Sequence, residues 1–532
     1  MKKLLNWLDN HLLFTLSSFL LVFIPLYPKW PLFDILPGYI VRVRLEDFLV
    51  FAVCLIWLIQ LLRKKIKFEF SLIAKAIIIY LAIGLISSLS AVFITKSVPL
   101  ELIHAGKIFL HYLRRIEYMS LFFIFSTSIT SLQQVKKLIL IIGITLIVLV
   151  IYGTGQKYLQ WPVYSTMNRE FAKGWRLVLT PHARVPSTFA GHYDLAAFLM
   201  FCLTIFASLT VFIKDKIQKK FCFVVFILSL ILLNFTASRT SFIAYLVGIT
   251  ISLFIFTRLK NLVWGLSRWF TIIVLSVVIM FSFGDLSERF SNSIKINLLT
   301  DYLKYNLLGF QKEDYQYLNL TYDLSLVYSR SDQPPTLAEK QAEASKAQEA
   351  LPADVYEDIP LPLPVEEETE GQEGQPKFVL KKRTYSPAAF IFGLSSAIRL
   401  DALWPMAVKG FLKNPILGSG YSTLNKEKFE HFSFAESTDN DYLRALGETG
   451  LLGFLSFFSI FAMFIYLFIM NVKKIKDPML VALIIGIIGG SFGMLINAFY
   501  IDVFEASKVA FIFWALIGIG MAVLRLQKDK IT

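Results

Sequence analysis

The residues able to do chemistry gather in short polar stretches set among long apolar runs. The densest stretch extends from Glu436 to Gly453, where Asp439, Asn440, Asp441, Tyr442, Arg444 and Glu448 lead straight into an apolar segment. A helix starting there puts Asp441, Arg444 and Glu448, at i, i+3 and i+7, on one face. A carboxylate in this stretch has the chemistry to take a proton from a hydroxyl. The same spacing describes an ion-paired helix start capped by Asp439 or Asn440, so spacing leaves both readings open. Gly447, Gly450 and Gly453 read as packing residues that let helices approach closely.

Arginines supply the second kind of chemistry. Arg184 precedes Val185 to Asp194, and Arg239 sits in Thr236-Ala-Ser-Arg-Thr-Ser241 between two apolar runs. Arginine recognises phosphate through a planar, bidentate fork. Two arginines converging on one cavity would suit a pyrophosphate held at a membrane surface; the alternative is simple snorkelling to the interface. Arg114, Arg115 and Glu117 lie inside an apolar run. Charges at that depth are costly and are functional candidates by default. An internal ion pair that fixes helix packing remains the other reading.

These residues need a membrane scaffold. The chain has 532 residues, of which 56% are hydrophobic, 15% aromatic and only 17% charged, with mean hydropathy +0.60. Soluble domains carry about 25% charge. A helix needs roughly 20 apolar residues to span the hydrocarbon core. About twelve spans are predicted, over 11–27, 47–62, 73–95, 108–128, 136–153, 189–213, 221–236, 240–257, 269–284, 450–471, 478–498 and 507–525. The first run is followed by Pro25, Tyr27 and Pro28 rather than a small-residue cleavage site, so it reads as a span and not a cleaved signal.

The net charge of +14 is a topology signal and not a nucleic-acid footprint. Lys2-Lys3, Arg63-Lys64-Lys65, Lys136-Lys137, Lys214 to Lys220, Arg258 to Arg268, Lys473 to Lys476 and Arg525 to Lys530 fall in alternate short connections. That is the positive-inside pattern, with both termini cytoplasmic. Cys54, Cys202 and Cys222 lie in apolar runs and read as core residues. The six histidines are scattered, and no metal spacing is present; neither a metal nor a cofactor is expected.

The organisation predicted is therefore an all-α integral membrane protein. Residues 1–284 form a membrane bundle of about nine spans, 285–449 a large extracytoplasmic loop, and 450–532 a C-terminal bundle of about three spans. Within the loop, 332–377 is acidic and rich in Pro, Ala and Gln, a composition that predicts disorder. Short surface helices are expected over 295–330 and 379–415, with Trp404, Ala407 and Phe411 at helical spacing. No internal repeat of the transporter kind is visible.

Four blocks together resemble the O-antigen ligase and O-antigen polymerase superfamily. Arg184-Val-Pro-Ser-Thr-Phe-Ala-Gly-His-Tyr-Asp194 resembles the family's Arg, Gly-Thr-Phe and His-Pro-Asn block. Thr236-Ala-Ser-Arg-Thr-Ser241 resembles its Thr-x-Ser-Arg-Thr-Ala. Trp404 through Asn414-Pro-Ile-Leu-Gly-Ser-Gly-Tyr421 resembles its Trp, then Asn-Pro-Leu-Leu-Gly-x-Gly-Tyr. Asp439 to Gly453 resembles its His-Asn-x-Tyr-Leu-x-x-Leu-x-Glu-x-Gly-Leu-Leu-Gly. Three departures matter. Asp194 stands where the family has Asn. Ser187 stands where the family has Gly, and Asp439 where ligases have His; His431 is eight positions from it.

The resemblance implies a metal-independent membrane glycosyltransferase of the type C kind in a bacterial cytoplasmic (inner) membrane, with its active site facing outward. Its donor would be a glycan on undecaprenyl pyrophosphate, and its acceptor another glycan, a lipid or a protein. A polymerase of repeat units is the leading expectation. A ligase is the first alternative and a flippase for lipid-linked oligosaccharide the second. The resemblance casts Asp439 as the base and Arg184 and Arg239 as pyrophosphate ligands. Arg114, Arg115, Asp194, Arg399, Asn440, Tyr442 and Glu448 are the substrate-binding candidates, and a chain-length regulator is a further partner to look for.

Overall fold

Local signals in the sequence start most of the helices. In the computed structural model, which describes residues 2–36, 42–68, 70–164, 176–180, 183–287, 290, 365–366, 378–379, 399–424 and 438–528, side chains cap one helix after another. The first run gives α1 (Lys2–Leu26), followed by α2 (Leu45–Leu62). Ser71 caps α3 (Leu72–Phe93), and α4 spans Leu102–Ser128. Ser131 and Gln134 form a capping box on α5 (Leu132–Tyr158). After α6 (His192–Phe212), Asp215 caps α7 (Lys216–Phe235) and Ser238 caps α8 (Arg239–Leu259). Each cap satisfies an amide that the helix itself leaves open.

Asn261 accepts a hydrogen bond from the Trp264 amide at 2.8 Å, and so starts α9 at Leu262 (Leu262–Ser282). The predicted span began at 269. The cap brings residues 262–268 into the helix and leaves only Lys260 and Asn261 to link it to α8. Later come α10 (Trp404–Lys413), α11 (Asp441–Val472), α12 (Pro478–Asn497) and α13 (Ser507–Lys528). Helix α11 starts nine residues before the predicted span because Asn440 caps it: its Oδ1 accepts from the Leu443 amide at 2.9 Å.

Among the described residues the protein is almost wholly helical, and ten helices are long and apolar enough to cross a membrane. Helices α1 and α4 overlap the two remaining predicted spans but start nine and six residues earlier and are not among the ten; α4 falls short on apolarity because it carries Lys107, Arg114, Arg115 and Glu117. The only strands described are two-residue ladders, Phe33–Asp34 with Arg42–Val43 and Val365–Glu366 with Phe378–Val379. Residues 1–289 and 404–532 form one compact unit and 290–403 another. The second unit is described only by its small ladder and a π-helical turn, Arg399–Leu403. The helices expected over 295–330, most of the 332–377 insertion and His431 lie outside the described residues.

In the helical unit α12 packs between α6 and α8, α13 packs on α4, and α11 packs on α3. Close approach depends on missing side chains. A Cβ on Gly489 of α12 would lie 2.3 Å from the Gly248 carbonyl oxygen of α8 and 2.0 Å from Ser252 Oγ. Small residues are what allow backbones to meet inside lipid. Gly489→Leu is expected to push α12 off α8 at a cost of about 1–3 kcal/mol. A lowered thermal unfolding midpoint in detergent checks it; an unchanged midpoint would show that the contact carries no weight.

Candidate active site

The polar blocks, far apart in sequence, meet at one end of the helical unit. The Val185 amide donates to the Phe235 carbonyl at 3.1 Å, which joins the Arg184 block to the turn before Arg239. Ser241 Oγ donates to Asn497 Oδ1 at 3.1 Å, and the next residue, Ala498, accepts from the Asp441 amide at 2.8 Å. Those contacts link the start of α8 to the start of α11 through the end of α12.

The Asn414–Tyr421 segment is locked to α11 more tightly still. Gly450 has φ +66° and ψ −167°, which breaks α11. The break frees carbonyls and amides in a setting that cannot leave them unpaired. Segment 415–420 satisfies them. The Ser419 and Gly420 amides donate to the Gly447 and Glu448 carbonyls at 2.9 and 2.8 Å. The Leu451 and Leu452 amides donate to the Pro415 and Ile416 carbonyls at 2.9 and 3.2 Å. A Cβ on Gly418 would sit 2.4 Å from the Glu448 carbonyl group. Gly450 is thus a backbone break rather than a simple packing residue.

Below this lock lies a buried ionic network. Glu448, 3% exposed, accepts from the Ser422 amide at 2.9 Å and from Arg444 Nε at 3.2 Å. Arg115 pairs with Glu448 at 3.5 Å and with Glu505, and its guanidinium lies 5.1 Å from the Tyr421 ring centroid. Arg444 also pairs with Asp502 at 2.8 Å. A cavity of about 30 Å³, room for water, is lined by Tyr80, Arg115, Asp441, Arg444, Glu448 and Glu505. Arg114 is engaged by Asp47 and Glu117. Arg114 and Arg115 therefore have protein partners from α2, α4, α11 and the connection before α13, which is the internal ion-pair arrangement.

Of the remaining candidates, Arg184, Asp194, Arg239 and Asp439 are half-buried. Arg184 Nη1 donates to His192 Nε2 and to Tyr193 Oη, both at 3.0 Å. Because a guanidinium only donates, His192 Nε2 must be the unprotonated nitrogen. Arg239 is the first residue of α8 and half-buried. Asp194, in the first turn of α6, feels the charges of Lys29, Arg44, Lys508 and Asp439. Asp439 is half-buried with φ +50°. Asn440 is the helix cap, and Tyr442 donates to the Leu495 carbonyl at 2.8 Å while its ring stacks on Phe458. Arg399 is buried in the π-helical turn of the second unit.

Backbone strain marks the same places. Ser187, Ala237, Ser422 and Asp439 all have φ between +50° and +57°, a region that costs an ordinary residue roughly 1–2 kcal/mol. The value at Ser187 explains the Gly that the resembled family carries there.

Asp502, Glu505 and Lys508 have no counterpart in the sequence reading. Lys508 Nζ donates to the Pro25, Tyr27 and Thr188 carbonyls at 3.0, 2.6 and 2.7 Å, and so ties α13 to the end of α1 and to the Arg184 block. The only sequence signal was two charges, Asp502 and Glu505, in the nine-residue connection 498–506, with Lys508 at the start of the next apolar run. Among the described residues no three His, Cys, Asp or Glu side chains are grouped to hold a metal ion.

With this geometry in view, the chain can be compared with known proteins. Residues 224–458 match the O-antigen ligase family. No curated protein matches the chain. The match supports a transferase of lipid-linked glycans in a multi-pass membrane protein, and agrees with the superfamily that the four blocks resemble. It runs from α7 into α11, so it contains Arg239, Arg399, Asp439, Asn440, Tyr442 and Glu448. Arg184, Asp194, Arg115, Asp502 and Glu505 lie outside the O-antigen ligase match and are tied to it only by contacts.

Burial would raise the Glu505 carboxyl, but Arg115 and Arg444 outweigh it and hold the group below the usual carboxylate range. A carboxylate held low in the folded protein stabilises it above the unfolded value, about 4.3. That stability is lost as pH falls through the folded value. The unfolding midpoint is therefore expected to drop below about pH 4.3, and Glu505→Gln to lower the midpoint at neutral pH and shrink the acid-side drop. Parallel pH curves for the two proteins would remove Glu505 from acid stability.

Proposed function

We propose that the protein is a polymerase that joins polyprenyl pyrophosphate-linked oligosaccharide repeat units into a cell-surface polysaccharide. The observation that carries this reading is the convergence of the Arg184, Arg239 and Asp439 blocks at one end of the helical unit, opposite the lysine-rich connections. The positive-inside rule makes that end extracytoplasmic, with both termini in the cytoplasm.

The donor's lipid, undecaprenyl, lies between spans, and its pyrophosphate rests at the interface. Arg184 and Arg239 bind the pyrophosphate, while Asp439 takes the proton of the acceptor hydroxyl. The hydroxyl oxygen attacks the anomeric carbon from the face opposite the pyrophosphate. The bond to the pyrophosphate breaks, its electron pair leaves with the phosphate oxygen, and the anomeric centre inverts. Electrostatic stabilisation of that departing charge is the largest contribution asked of the arginines. Asp194, near Asp439 in the field of Lys29 and Arg44, faces the sugar. Arg114, Arg115 and Glu448 hold the helices behind the site.

A ligase is the second reading, favoured by the description of the matched family. Asp439 in place of the ligase His favours the polymerase.

Purified protein with a polyprenyl pyrophosphate-linked repeat unit, in EDTA, is expected to give a ladder of chain lengths. Arg184→Ala and Arg239→Ala should each cut turnover by about 10²–10³-fold with the protein still folded. Arg→Lys should also fail, because lysine lacks the bidentate fork. One product of a single size on an added acceptor would make the protein a ligase. Movement of the lipid-linked sugar across vesicles without a new glycosidic bond would make it a transporter.

A further inference from the structure

Asp439 is held in place by a residue 63 positions further along the chain. Asp502, 7% exposed, lies in the connection between α12 and α13. Its Oδ2 accepts from the Thr438 amide at 2.9 Å, and its Oδ1 from the Asn440 amide at 2.8 Å. These are the backbone groups on either side of Asp439. Thr438 Oγ1 donates to Oδ1 at 3.1 Å, and Arg444 Nη1 to Oδ2 at 2.8 Å. One carboxylate thus collects four donors and spans the turn whose middle residue is Asp439.

Neighbouring atoms of the same connection reinforce the grip. The Phe499 carbonyl accepts from Asn440 Nδ2 at 3.2 Å, and Asp441 Oδ2 accepts from the Phe504 amide at 3.3 Å. The turn has to be held, because Asp439 sits at φ +50°. A strained backbone persists only where its surroundings over-determine it. Only a carboxylate, which accepts and never donates when ionised, satisfies this set of donors. An asparagine would present one NH₂ group to an N–H or guanidinium donor.

We propose that Asp502 is the positioning residue for Asp439: it fixes the 438–440 turn so that the Asp439 carboxylate meets the acceptor hydroxyl. This rests on the reading of Asp439 as the base. Asp502 touches no substrate and acts through the turn. A displacement of about 1 Å at a reacting group costs on the order of 10²-fold in rate.

The test is Asp502→Asn in the full chain in lipid nanodiscs, with amide hydrogen exchange and turnover both measured. Faster exchange at Thr438 and Asn440 is expected, with α12 and α13 unchanged. Turnover should fall by about 10²-fold with KM near that of the parent. In an Asp439→Asn background the same change should add little further loss, since both act at one step. Unchanged exchange at Thr438 and Asn440 overturns the clamp. Faster exchange throughout the bundle also overturns it, because Asp502 would then hold the fold and not the turn. Thr438→Val, which removes one hydroxyl donor and keeps both amides, repeats the test with a smaller perturbation and should give a smaller effect of the same sign. Parent protein with no glycosyl transfer would sink the transferase reading, while exchange would still decide the clamp.

Discussion

Two guanidinium groups buried away from water set the terms for the rest of the structure. Arg115 and Arg444 are matched by Glu448, Asp502 and Glu505, drawn from α11 and from the connection after α12. In a low-dielectric interior an unpaired charge is far more costly than a paired one, and removing one partner leaves the other stranded. The partners come from distant parts of the chain, so the network can form only when α4, α11 and the α12–α13 connection are in register. Electrostatic matching thereby favours the register in which these helix ends meet, and at its edge Asp502 reaches the amides on either side of Asp439.

The broken helix follows the same logic in the backbone. A helix that crosses lipid without interruption needs no outside partner. Gly450 ends that self-sufficiency, and the Asn414–Tyr421 segment supplies the missing donors and acceptors. Asn414 fixes that segment in turn: its Oδ1 accepts from the Ile416 and Leu417 amides, and its Nδ2 donates to Ser90 and Thr95 of the α3 end. Two of the resembled blocks are therefore a single structural unit, in which a loop completes a helix.

The spans were legible in the sequence because lipid demands long apolar runs, and the Asn440 cap because capping is local chemistry. The helical face of Asp441, Arg444 and Glu448 was legible for the same reason, and all three line the cavity. Burial and long-range pairing are not local. The sequence leaves Arg114 and Arg115 open as ligands or as ion pairs, and it does not reveal Asp47, Glu448 and Glu505 as their partners. Asp502 looked like any charge in a short turn, because nothing in its neighbours reveals four donors converging on it. Gly450 read as a packing residue because its sequence does not announce a positive φ.

The connection from Ala498 to Lys508 also governs when the site comes into being. A growing chain emerges N-terminus first, so Asp502, Glu505 and Lys508 are made after every other residue named at the site. Until they arrive, Arg444 and Arg115 lack two of their carboxylates, the Asp439 turn lacks its clamp, and α1 lacks its tie to α13. A nascent protein whose helices as far as α12 are inserted still carries an open, under-neutralised core. The order of synthesis thus matters to the network: a chain interrupted before this connection carries buried guanidinium charge without these partners.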